Sequence, residues 1–149
     1  MGYWTSWRTW KFYQEQVTQI LALIKRKYNN DINIDQYLKI CEELGEEPDP
    51  EKMPPDDGDF PLEVQLAFYM HSLMPDRWDG MSGSYLGKDW SSLNVLLKVH
   101  KVENQKEVLF FLKHIENESA LKFNEKIKRK QDASMRKAKA GNAGINVKG

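Results

Sequence analysis

Few residues in this chain carry types and spacings that could do chemistry. The three histidines, His71, His100 and His114, stand too far apart for paired metal ligands, which recur three or four residues apart on a helix. Cys41 is the single cysteine and has no histidine placed to activate it, so it reads as a core thiol and excludes an internal disulfide. Asp56, Asp57, Gly58 and Asp59 resemble part of a calcium loop, but the alternating carboxylates and the later glutamate are missing. Gly83, Gly87 and Lys88 resemble a phosphate loop with one residue too few between the glycines. Asp89 stands where such a loop needs a hydroxyl, and no strand pattern precedes it. Ser82, Ser84, Ser91 and Ser92 lie outside any nucleophile-elbow pattern. The expectation is a protein with no catalytic residues, no metal and no cofactor, in short not an enzyme.

What the chain has instead are surfaces for partners. Trp4, Trp7, Trp10 and Tyr13 recur one turn apart, and large aromatics dominate interface hot spots. The same four could instead fold back onto the core, as large aromatics usually do. A second aromatic group, Trp78, Tyr85 and Trp90, falls in the glycine-rich stretch 73–92, which reads as a loop pinned to the core and open to a partner. At the other end, Lys126, Lys128, Arg129, Lys130, Arg136, Lys137 and Lys139 make a basic segment. Residues 119–149 hold nine Lys/Arg against Glu125 and Asp132, a balance of +7, and the rest of the chain carries the opposing −7. Such asymmetry points to an anionic partner: a nucleic acid, an acidic protein surface, or the chain's own acidic loop. Nucleic-acid binding through this tail is the alternative to a protein-binding role.

Helices must position these residues. Trp4 through Ile24 repeat at spacings of three and four, giving a first helix over 4–28 that ends in Lys25, Arg26 and Lys27. Asn33 and Gln36 have capping-box spacing for a helix over 34–44 with Ile34, Tyr37, Leu38, Cys41 and Leu44 on its apolar face and Gly45 as its stop. Residues 46–61 hold five of the six prolines and seven acids against Lys52, which predicts a non-helical linker with Asp59 as the next N-cap. The central helix, 61–74, is apolar on nearly every side, with Leu62, Leu66, Tyr69 and Leu73 as its main stripe and His71 near its end. A short helix over 90–100, capped by Asp89, turns Trp90, Leu93, Leu96, Leu97 and His100 inward. The last helix, 105–130, starts at a second capping-box spacing, Asn104 and Glu107, and buries Val108, Phe111, Leu112 and Ile115. The expected fold is all-α, a single irregular bundle of about five helices with an aromatic N-terminal helix (1–30), a core (31–118), and a basic helix extension that runs out into a flexible basic C-terminal tail (119–149). No run reaches the roughly 18 apolar residues of a membrane span, and no signal-peptide layout is present.

The texts YLKICEELGEEPDPEKMPP (37–55), DFPLEVQ (59–65) and LMPDRWDGMSGSYLGKDW (73–90) resemble small proteins of the structural gene modules of tailed bacteriophages. Among these they resemble the tail-assembly chaperones that accompany the tape-measure protein, over roughly residues 37–115. The resemblance implies a helical, non-catalytic protein that binds other virion or assembly proteins, in the host cytoplasm or the virion, and assigns no individual residue.

Overall fold

A computed structural model describes the backbone of residues 7–145 and the side chains of residues 13–144. Its five α-helices are α1 (Trp7–Asn29), α2 (Ile34–Leu44), α3 (Leu62–Leu73), α4 (Leu93–Val99) and α5 (Gln105–Ile145). One small antiparallel hairpin, β1 (Asp76–Trp78) and β2 (Tyr85–Lys88), interrupts the helices. The all-α bundle is therefore the architecture, with α5 as its spine. Helices α1 and α3 and strand β2 all pack along the first half of α5.

The core sits where α1, α3, α4 and α5 meet. Val108, Leu112 and Ile115 of α5 are fully buried and Phe111 nearly so, as the spacing predicts. Ile24 reaches them from α1, and Val64, Ala67 and Met70 from α3. The α3 stripe differs from the expectation. Leu62, Tyr69 and Leu73 face outward, Leu66 is half-buried against the core, and Val64, Ala67 and Met70 are the buried residues. Ala67 accounts for the choice, because a small side chain lets α3 lie close against α5, whereas the leucine stripe would hold it away. His71, one turn beyond Ala67, is thereby turned toward α5 as well.

The caps follow local chemistry. Asn33 Oδ1 accepts from the Gln36 amide at 2.8 Å and Gln36 Oε1 from the Asn33 amide at 3.0 Å, and Gly45 stops α2 in the left-handed region. Asp59 does not cap α3. Its carboxylate accepts instead from the Asp56 amide at 2.9 Å and tightens a 3-10 turn over Asp57–Asp59. Asp89 accepts from the Ser91 amide at 3.0 Å and caps a 3-10 turn over Trp90–Ser92 that leads into α4. At the second expected box, Asn104 turns away from its own helix and donates to Glu63 Oε1 at 3.2 Å, tying α5 to α3.

The acidic linker is fastened to the body. Arg26 donates to the carbonyls of Glu51 and Met53, and Lys27 pairs with Asp57. Pro54 and Pro55 within it are buried. The cations expected to complement the end of α1 therefore hold the loop that crosses it.

The last helix departs most from the expectation. It continues well past 130, to Ile145, over 41 residues, so most of the segment read as a flexible tail is helical. Lys, Arg, Ala, Gln and Met are strong helix formers, and Glu125 and Asp132 stand four residues before Arg129 and Arg136, the orientation that supports a helix.

Candidate interaction surfaces and a buried clamp

The stretch 73–92 is a hairpin rather than an irregular loop. Asp76 pairs with Lys88, Arg77 with Gly87 and Trp78 with Tyr85, with an irregularity between Arg77 and Trp78. Asp79 closes its turn by accepting from the amides of Met81 and Ser82. Two polar residues of α5 clamp β2. Asn124 mimics a strand, accepting from the Tyr85 amide at 3.1 Å and donating to the Tyr85 carbonyl at 3.0 Å. Glu116, buried, accepts from the Lys88 amide at 2.8 Å through one oxygen, and its other oxygen lies 3.1 Å from His71 Nε2. Gly87 is held at φ +90°, and a Cβ there would collide with the Glu116 carboxylate.

Ser119, His71 and Glu116 have the residue types of a hydrolytic triad, and the geometry gives them another role. Ser119 Oγ at 3.4 Å and Glu116 Oε2 at 3.1 Å both meet the same nitrogen, Nε2. A proton relay places acid and nucleophile on opposite ring nitrogens. The arrangement therefore joins α3, β2 and α5 as a clamp. Burial lowers the His71 pKa, and Lys88 lowers it further against the opposing pull of Glu116 and Asp76. Neutral His71 in the Nε2–H tautomer donates to Glu116. Nearby, Asp76 accepts from Tyr85 at 2.7 Å and pairs with Lys88 Nζ at 2.9 Å, and both bonds hold its pKa below the usual carboxylate range. Burial pushes the Tyr85 and Tyr28 hydroxyls well above the ordinary tyrosine value. The lysine of the phosphate-loop resemblance is thus consumed within the hairpin.

The sequence-predicted partner residues separate. The side chains of Trp4, Trp7 and Trp10 lie outside the described residues. Tyr13 is exposed and, with Val17, Phe110 and Phe111, lines an open groove of about 540 Å³ between α1 and the start of α5. Tyr85 is buried, which removes it from any contact surface. It stacks in one cluster with Trp78 (centroids 5.1 Å) and Phe123 (4.6 Å). Trp78 and Phe123 of that cluster stay about half exposed. Trp90 packs against the core with Lys113 over its ring, so the second aromatic surface reduces to Trp78. His100, expected inward, is exposed and stands edge-on to Tyr69.

Other exposed features had to come from the structure. Helix α2 lies at the edge, and of its apolar face Cys41 alone is buried; Ile34 and Tyr37 are half-buried, and Leu38 and Leu44 are 39% and 66% exposed, with exposed Ile40 beside them. Outward Leu62, Tyr69 and Leu73 of α3, with Val95 and Val99 of α4, add further apolar surface. Lys126, Lys128, Arg129, Lys130, Arg136, Lys137 and Lys139 are all exposed on the second half of α5. Among the described residues no group of His, Cys, Asp and Glu could hold a metal ion, and no helix is long and apolar enough to cross a membrane. Comparison with protein-family models, with curated proteins and with solved structures gave no match.

Proposed function

We propose that this chain is a non-catalytic structural or assembly protein that works by protein–protein contact. The observation that carries the proposal is α2. Its apolar face is well formed and locked by a complete capping box, yet the fold buries only Cys41 of it, half-covers Ile34 and Tyr37, and leaves Leu38 and Leu44 exposed. An amphipathic helix gains its stability by burying that face, and one left open within a stable body is suited to a second protein. The exposed rows on α3 and α4 and the groove beside Tyr13 support the same reading. So does the resemblance of residues 37–115 to phage tail-assembly chaperones, which makes virion or tail components the partners to look for. Trp4, Trp7 and Trp10, whose residue types suit an interface, are further candidates for that contact.

The test is capture from nuclease-treated lysate of the native cell with the full chain and with a Leu38→Asp/Leu44→Asp variant. Both positions are exposed, so the variant keeps its helix content. The proposal expects a defined set of virion or assembly proteins with the wild type and their loss with the variant. Identical recovery by both would overturn the role of α2. A chain lacking residues 1–12 reports separately on the tryptophans: retained folding with lost capture assigns them to the interface, and collapse assigns them to the core.

A further inference from the structure

We propose that the second half of α5 is a docking helix for the phosphate backbone of duplex DNA, through one face formed by Lys122, Lys126, Arg129, Lys130, Arg136 and Lys137. At 3.6 residues per turn these six side chains fall within an arc of about 120° centred on Ala133, and the row they form is about 22 Å long. Glu125 and Asp132 lie beside this arc, outside it. Continuity of the helix is what aligns the charges; in a flexible tail the same residues would share no face.

The face is open. From Lys128 to Gly144 every residue except Asp132 is exposed. At the root of the arm Lys122 pairs with Asp31 at 3.0 Å, and Lys126 and Arg129 act on that same carboxylate. Among the described residues no cation from Lys126 to Lys139 has a carboxylate within ion-pair distance. The acidic linker is fastened elsewhere, to α1 through Arg26 and Lys27. The acidic body does not cancel the arm either. Residues 128–144 extend about 24 Å, beyond the roughly 8 Å over which physiological salt screens charge.

The chemistry of the face selects its ligand. It holds cations and two alanines, Ala133 and Ala140, with no large apolar side chain. A protein interface needs a buried apolar or aromatic centre, and the nearest candidates on the arm, Ile127 and Met135, lie on the far side. Single-stranded nucleic acid is bound by aromatic stacking, and no aromatic follows Phe123. A helix about 10–12 Å across can lie along the major groove of B-form DNA, whereas the A-form groove is too narrow. What remains is phosphate contact without base reading.

The experiment uses the full chain and a fluorescent mixed-sequence DNA duplex of about 20 base pairs, titrated by anisotropy between about 50 and 200 mM salt. With Lys122 already paired, five cations predict a log–log salt slope of about −4 to −5. Arg136→Gln/Lys137→Gln should reduce that slope by about two. Lys128→Gln/Lys139→Gln removes the same charge from outside the face and should leave it near the wild-type value. Circular dichroism confirms that both variants keep the helix. Absence of binding at the lowest salt would overturn the proposal, as would equal losses in the two variants. Duplex RNA bound as tightly as DNA would overturn the groove argument, and polyglutamate competing as well as DNA would assign the face to an acidic protein. The Leu38→Asp/Leu44→Asp variant should bind DNA as the wild type does, so the outcome is independent of the protein-contact reading.

Discussion

Substituting Gly87 with alanine tests the clamp between hairpin and spine. Two costs add at this position. Backbone at φ +90° disfavours any side chain, at about 1–2 kcal/mol. The new Cβ would also collide with Glu116 Oε1 and stand 3.2 Å from its Cδ, so the carboxylate has to leave the Lys88 amide. Losing that bond inside the core costs about a further 1–3 kcal/mol. The expected total is about 2–5 kcal/mol, a large part of the stability of a domain this size. Gly83→Ala is the control, since Gly83 has φ +69° with open space around it, and should cost only the backbone portion. Urea unfolding followed by circular dichroism measures both. In a Glu116→Ala background the collision is gone, so Gly87→Ala should there cost no more than Gly83→Ala. Equal costs for Gly87→Ala and Gly83→Ala in the wild-type background would refute the reasoning.

Three further outcomes follow from the same geometry. His71 has a folded pKa below its unfolded value of about 6.5, so the unfolded chain takes up the proton first and stability falls as pH drops below about 6.5. His71→Gln should flatten that dependence, and an unchanged profile in thermal melts would exclude His71 as its source. Asn124→Ala removes both bonds to Tyr85 and should cost about 1–3 kcal/mol, with faster hydrogen exchange at the Tyr85 amide than at amides of α3. Ala67→Leu forces α3 away from α5 at a fully buried position and should destabilise by about 1–3 kcal/mol or more, measured by the urea midpoint.

Local signals were legible where one residue decides a local bond. The Asn33–Gln36 box, the Gly45 stop, the Asp89 cap and the Val108–Ile115 face could all be read from spacing. The hairpin was not, because strands of three and four residues with an irregular register are too short for alternation to show in the sequence. Glu116 was missed because a glutamate among Glu118, Asn117 and Ser119 looks solvated. The signal was its place four residues after Leu112 and beside Ile115, a polar residue on the face that the apolar spacing assigns to the core. The α3 face was misread because a helix apolar all round has no preferred side in sequence. There the small Ala67 decided, through a partner far along the chain. For α2 the spacing located the apolar face, while what covers it is a tertiary property.

The most direct test of the account is amide hydrogen exchange on the full chain, alone and bound to a virion or assembly protein recovered with it. If α2 is the interface, exchange slows most over Ile34–Gly45, with smaller changes on the outer faces of α3 and α4. Unchanged exchange over Ile34–Gly45 in the complex would contradict the claim that this helix is held open for a partner.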